Sequence, residues 1–232
     1  MSVLIIGCSS FLGVNLLASL ANSNYNIDRV SEHLGDKIPY DNLDKYRCII
    51  YLKPDVNQWL LEHKPNVPML AIGSGALVDY YAGRIESNSY IEGKQKLVQM
   101  STVTLHPGFF IPSMTDLDTG RGLHRETLVN LFSEHPNIDL EKAYYMTPVS
   151  ALIKMITMFI DEPVKYQGEY PIGSPMKIAR KELLNGIVPN REAIYANDMK
   201  RALEDFGVAV TTENIKQFKS NAEQWVRNSC RS

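Results

Sequence analysis

The first twenty residues constrain the chain more than any other stretch. Val3–Ile6 is a short run of β-forming apolar residues; it meets Gly7, and apolar side chains then recur at helical spacing at Phe11, Leu12, Leu16, Leu17 and Leu20. The pattern predicts a strand, a tight turn and a helix N-terminus. Such a unit receives a pyrophosphate on backbone N–H groups, here those of Ser9, Ser10, Phe11 and Leu12, and on the positive end of the helix dipole. Gly7 and Gly13 take the first and third places of a GxxGxxG pattern, and Ser10 takes the middle one. A secretory signal is not expected, because the stretch lacks a basic start and Gly7, Gly13 and Asn15 interrupt its apolar run.

A second constraint lies in GSGALVDYYAGRIESNSYIEGK. Tyr90 and Lys94 stand four residues apart, with Ser74 sixteen residues ahead of Tyr90, just after the apolar run VPMLAIG. A helix beginning near Ser89 puts the phenol and the ammonium on one face. A strand ending near Ile72 delivers the Ser74 hydroxyl from another element. A phenol exchanges protons poorly at neutral pH, but a neighbouring cation favours phenolate and makes it a usable acid or base. A serine hydroxyl can hold the oxygen of a carbinol or ketone while the phenol moves the proton.

Composition excludes several classes of function. The chain has 232 residues, 44% of them hydrophobic and 22% charged, with a net charge of −2. That is an ordinary globular composition without general attraction to nucleic acid or to an anionic membrane, and neither partner is expected. Three scattered cysteines suit neither a disulfide framework nor a metal site, and a reducing, cytoplasmic setting is expected. The apolar run ALIKMITMFI carries Lys154 and is too short to span a bilayer.

Along the chain, NYNIDRVS reads as a second strand and RCIIYLKPD as a buried third. The polar stretch 34–45 between them leaves the usual intervening strand of such a unit reduced or missing. VNQWLLEHK reads as a short amphipathic helix with Val56, Trp59 and Leu60 on one side, and STVTLHPGFFIPS as one further strand.

Taken together, GCSSFLG, GSGA with Ser74, YIEGK with Tyr90 and Lys94, and VTLHPGFFIP resemble the short-chain dehydrogenase/reductase superfamily, in its extended branch of nucleotide-sugar epimerases, dehydratases and reductases. The similarity runs over nearly the whole chain. It implies an α/β fold, a Rossmann-like doubly wound parallel sheet with a small C-terminal substrate lobe. The expected division is 1–112 for the nucleotide domain and 113–232 for the lobe, with a return segment at about 143–162 packing on the nucleotide core. It also implies bound NADP or NAD, Ser74, Tyr90 and Lys94 as the catalytic trio, a nucleotide-sugar substrate and a homodimer.

The resemblance directs attention to further positions. A ribose-binding acid is expected about twenty residues past the turn. Ser31 stands there, with Glu32 next and Arg29 nearby: Glu32 suits NAD, Ser31 with Arg29 suits NADP, and the missing acid favours NADP. Asp41 matches a place near the adenine. At the exit of the third strand, Leu52 and Lys53 with Pro54 replace the small pair that lies against the cofactor in relatives, although Lys53 could equally approach a phosphate. Pro107 closes another strand on the cofactor side. Gly75, His106, Arg121 and Arg125 are candidate substrate contacts, the arginines for a pyrophosphate. The Asp-Glu pair that sugar 4,6-dehydratases place beside their hydroxyl residue is absent after Ser74, which favours 4-keto reduction or epimerisation over dehydration. The alternatives are a non-catalytic NAD(P)-binding sensor or scaffold of the same fold, and a reductase of a non-sugar carbonyl.

Overall fold

The computed structural model describes residues 2–113, 116, 139–185 and 196–229. It divides into two compact units, Met1–His106 with Ile153–Pro171, and Pro107–Leu152 with Ile172–Ser232.

The first unit opens as its sequence predicts, with β1 (Ser2–Ile6), a turn, α1 (Phe11–Leu20) and β2 (Asn26–Val30). Residues 31–45 form 3₁₀ turns at Glu32–Leu34 and Tyr40–Lys45, and no strand. Then come β3 (Tyr46–Tyr51), α2 (Gln58–His63), β4 (Met69–Ile72), α3 (Gly75–Tyr81), α4 (Ser89–Met100) and β5 (Val103–Pro107). β1 pairs in parallel with both β2 and β3, and β3–β4 and β4–β5 are parallel as well. The six-stranded order is β2-β1-β3-β4-β5 followed by a late strand, Gly168–Ile172. This is a Rossmann-like α/β sheet in which, among the described residues, no strand lies beyond β2.

Covering both faces of a parallel sheet requires continuously apolar strands. Val3, Leu4, Ile5 and Ile6 are accordingly all buried. On one face Leu4, Ile6, Ile49, Tyr51, Met69 and Ala71 form a cluster with Leu60 of α2 and with Leu97 and Met100 of α4. Each such fully buried side chain contributes about 1.5–3 kcal/mol. Val56 and Trp59 pack against this cluster, and His63 stacks on Trp59 at 4.3 Å, a structural position.

In the second unit the single strand expected over VTLHPGFFIP gives way to two. β5 ends at Pro107, and β6 (Phe109–Ile111) belongs to a different sheet. The cause is Gly108: a Cβ there would lie 1.9 Å from the Tyr145 carbonyl oxygen, and the Gly108 N–H donates to Thr147 Oγ1 at 2.8 Å. β7 (Ala143–Tyr144) and β8 (Met146–Pro148) follow, β8 pairing in parallel with β6. α5 (Val149–Asp161), which belongs to the first unit from Ile153 on, buries Val149, Leu152, Met155, Ile156, Phe159 and Ile160 at helical spacing. β9 is the late strand Gly168–Ile172 of the first unit's six-stranded sheet, and in the second unit β10 (Ile178–Ala179) pairs antiparallel with β7. Helices α6 (Arg180–Asn185), α7 (Ala196–Phe206) and α8 (Thr212–Ser229) complete the unit. Trp225 of α8 is buried and donates its ring N–H to the Asp116 carbonyl at 2.8 Å.

Among the described residues, no helix is long and apolar enough to cross a membrane, and no group of three or more His, Cys, Asp or Glu side chains could hold a metal ion.

Candidate functional site

The site is built from the carboxyl ends of β1, β2, β3 and β4 and the start of α4. At the end of β1, Gly7 has φ +85°, its N–H donates to the Val30 carbonyl at 2.9 Å, and its own carbonyl accepts from Ser10 N–H at 3.0 Å. The left-handed φ favours glycine. Gly13 is needed for a different reason, since a Cβ there would lie 2.7 Å from both the Gly7 and Cys8 carbonyl oxygens. The turn and the helix are in backbone contact. Ser10, by contrast, has φ −69° and ψ 161° and caps α1 by accepting the Gly13 N–H at 3.1 Å. The middle position therefore carries a side chain without strain, and the cap adds about 1 kcal/mol. Gly7, Gly13 and the ten-residue helix that opens at Phe11 and Leu12 form a cradle that fits the pyrophosphate of a dinucleotide.

At the end of β2, Ser31 is buried, its hydroxyl 2.7 Å from the Ser9 hydroxyl and its N–H donating to Asp36 Oδ2 at 2.8 Å. An acid does stand against this strand end. It is Asp36, brought back by the left-handed Gly35 (φ +91°), rather than a residue at the counted position. Arg29 is exposed on β2 and Asp41 is exposed on the second 3₁₀ turn. Glu32 reaches the other way, to Lys53 at the exit of β3, with 2.5 Å between its carboxylate and the Lys53 ammonium. Leu52 is buried and continues the β1 ladder through its N–H to Ile6 O at 2.9 Å.

At the end of β4, Ser74 caps α3, its hydroxyl accepting the Ala76 N–H at 3.2 Å, and Gly75 is the buried first residue of that helix. The Ser74 backbone N–H donates to His106 Nδ1 at 3.3 Å, which leaves the ring proton on Nε2, donated to Glu169 at 2.8 Å. His106 is 1% exposed and so lies behind the Ser74 backbone with both ring nitrogens engaged. Gly73 allows this, since a Cβ there would lie 2.4 Å from His106 Nδ1. Pro107 is buried at the end of β5.

α4 packs against β4 and α3. It begins after Asn88, whose side chain accepts the Ile91 N–H at 3.0 Å, and so presents Tyr90 and Lys94 on one face. Tyr90 is 54% exposed and Lys94 only 6%. The Lys94 ammonium lies 5.7 Å from the Tyr90 ring centroid and donates to the Pro54 carbonyl at 3.1 Å. Burial pushes the Lys94 pKa down, and the nearby Asp55 carboxylate offsets part of that shift. At the Lys53-Pro54 exit of β3, the Lys53 side chain crosses to Glu32 and the backbone carbonyl of Pro54 holds Lys94. No local pattern in the sequence announced that carbonyl, Asp36 or the Glu169 contact. Arg121 and Arg125 lie outside the described residues.

A buried ammonium with one carbonyl partner carries a desolvation penalty. Lys94→Met is therefore expected to stabilise the protein by about 1 kcal/mol at neutral pH, raising Tm by roughly 2–4 °C. Because the folded pKa is depressed, the unfolded chain holds more protons between that value and 10.5, and stability from this group rises with pH through that window and is lost as pH falls through the folded value. The variant should lack that component, which thermal melts from pH 7 to pH 10.5 measure.

No protein-family model and no curated protein matches the sequence. Solved structures do match over nearly the full length. The Bordetella bronchiseptica enzyme WbmG in complex with NAD and UDP has a TM-score of 0.69 at 10% identity, over 97% of this chain and 94% of that one. MoeE5 in complex with UDP-glucose and NAD has a TM-score of 0.68 at 14% identity, over 99% and 100%. RMD from Pseudomonas aeruginosa, complexed with NADPH, has a TM-score of 0.56 at 14% identity, over 96% and 97%. At these identities the likeness establishes the shared fold.

Proposed function

We propose that this chain is an extended short-chain dehydrogenase/reductase that uses a nicotinamide dinucleotide to reduce a 4-keto nucleotide-linked sugar or to epimerise a carbinol centre of a nucleotide-linked sugar. The observation that carries the reading is the half-exposed Tyr90 phenol next to the buried Lys94 ammonium, on a helix packed beside the strand that leads to Ser74. The glycine turn of β1 supports it, and so do nucleotide and nucleotide-sugar ligands in structures of the same fold.

Tyr90 Oη gives and takes the proton of the substrate oxygen. Lys94, held by the Pro54 carbonyl, lowers the cost of the phenolate by its charge. Ser74 orients the substrate oxygen through its hydroxyl, and His106 holds the Ser74 backbone from behind. Gly7, Ser9, Ser10, Phe11, Leu12 and Gly13 hold the pyrophosphate, and Glu32 and Lys53 face the adenosine end. When bound, the nicotinamide supplies the hydride chemistry.

The test is fluorescence titration with NADH and NADPH, followed by a screen of oxidised and reduced nucleotide sugars. Saturable binding together with turnover of one sugar supports the proposal. Stoichiometric binding without turnover of any carbonyl substrate supports a non-catalytic binder of the same fold. Failure of both cofactors to bind at millimolar concentration overturns the oxidoreductase reading.

A further inference from the structure

We infer that Glu169 is a positioning residue for the substrate-orienting hydroxyl, acting on Ser74 through the tautomer of the buried His106 ring. The inference rests on the reading of Ser74 as the group that orients the substrate oxygen. Ser74 follows β4 and precedes α3, in extended backbone with φ −157° and ψ 144°. The sheet ladder stops one residue short of it. Gly73 N–H still donates to the Leu105 carbonyl at 2.8 Å, but the Ser74 N–H goes to His106 Nδ1 instead. Only a ring with a lone pair on Nδ1 accepts there, so the ring proton sits on Nε2, where the Glu169 carboxylate accepts it at 2.8 Å.

The same carboxylate closes a circuit. Among the described residues β9 ends the sheet order beside β5, and Glu169 of β9 also accepts from the hydroxyl of Tyr81, the last residue of α3. Burial, then the Glu169 charge and this hydrogen bond, push the Tyr81 phenol up. α3 is thus held at both ends: Ser74 caps its start through the Ala76 N–H, and Tyr81 meets the carboxylate that fixes the ring behind Ser74. The Ser74 hydroxyl accepts that cap bond and keeps its proton to donate to a substrate oxygen. Without the carboxylate, the ring can carry its proton on Nδ1. Two donors would then face each other, and the Ser74 backbone would shift.

The experiment combines three readouts: long-range proton–nitrogen correlation spectra of the His106 ring, titration with NADH and NADPH, and steady-state kinetics starting from a UDP-linked 4-keto-6-deoxyhexose. Glu169→Ala should fold, because the side chain is 34% exposed and the Gly168 N–H keeps its bond to the Thr102 carbonyl. It is expected to move ring protonation toward Nδ1 and to lower kcat about tenfold, with cofactor affinity within about threefold. Glu169→Gln keeps a carbonyl acceptor for the ring proton and should restore the parent tautomer and kcat to within about threefold. His106→Asn offers Ser74 an acceptor but is too short to reach Glu169, so adding Glu169→Ala to it should change kcat less than about twofold. A parent ring protonated on Nδ1, parent-like kcat in Glu169→Ala, or an undiminished Ala effect on the His106→Asn background overturns the inference. Loss of turnover in Ser74→Ala would then leave the functional reading standing. Parent-like turnover in Ser74→Ala overturns the role of Ser74 and the inference with it, and absence of turnover of this or any other screened nucleotide sugar by the parent overturns the functional reading as well.

Discussion

Tyr90→Phe is expected to lower turnover of the nucleotide-sugar substrate by about 10²–10⁴-fold, the usual contribution of a positioned acid or base. Cofactor affinity should stay within about threefold, and Tm within about 2 °C, as for an exposed substitution. The ring is 54% exposed and the Lys94 ammonium over its face is kept, so only the hydroxyl is lost. Lys94 retains its bond to the Pro54 carbonyl. The combination of intact cofactor binding with lost turnover separates proton transfer from binding. Parent-like turnover in the Phe variant would remove Tyr90 from the chemistry. The contrast with Lys94→Met is informative, because that change should raise stability while weakening both cofactor affinity and turnover, the pattern of a group kept for function against its own burial cost.

Gly13→Ala should be one of the most damaging single methyls at the site. Its Cβ would lie 2.7 Å from two carbonyl oxygens that belong to the Gly7–Cys8 turn, and backbone cannot rotate away as a side chain tip can. We expect a loss of about 2–3 kcal/mol, a Tm lower by roughly 5–10 °C, and NADH affinity weakened at least about tenfold as the turn opens. Gly93→Ala is the matched control. Nothing lies within 4 Å of its Cβ and it sits in α4 between Tyr90 and Lys94, so the same added methyl should stabilise by about 0.5–1 kcal/mol. Circular dichroism melts of the two variants, with NADH titration of the folded proteins, read both effects. Equal melting temperatures would show that the contact at Gly13 is relieved at little cost.

What was legible in the sequence was local. The strand, turn and helix of residues 2–20 follow from apolar spacing and two glycines, and the start of α4 at Ser89 follows from the same kind of pattern. The reduced segment after β2 was legible too, because 34–45 is short and polar and holds no continuous run of β-forming residues. The rest depended on groups distant in the chain. Gly108 breaks a continuous β-forming run only because the Tyr145 carbonyl lies against it. Ser10 breaks the glycine pattern harmlessly because its backbone is in an ordinary conformation, which spacing does not reveal. Asp36 reaches Ser31 through a left-handed glycine, and the Pro54 carbonyl reaches Lys94 from forty residues away. Backbone acceptors of this kind have no residue signature.

The outermost place of β2 has a consequence for self-association. Among the described residues β2 ends the sheet order, so one side of its backbone is a rim able to accept a strand from another molecule. The sequence NIDRV answers that exposure with charge: Asp28 is held by the Tyr46 hydroxyl at 2.7 Å and by Lys45 at 3.5 Å, Arg29 is exposed beside it, and the strand stops after five residues. A short, charged rim is a poor template for sticky edge-to-edge growth. Among the described residues, the outermost strand on this side has the composition of an edge rather than of an interior.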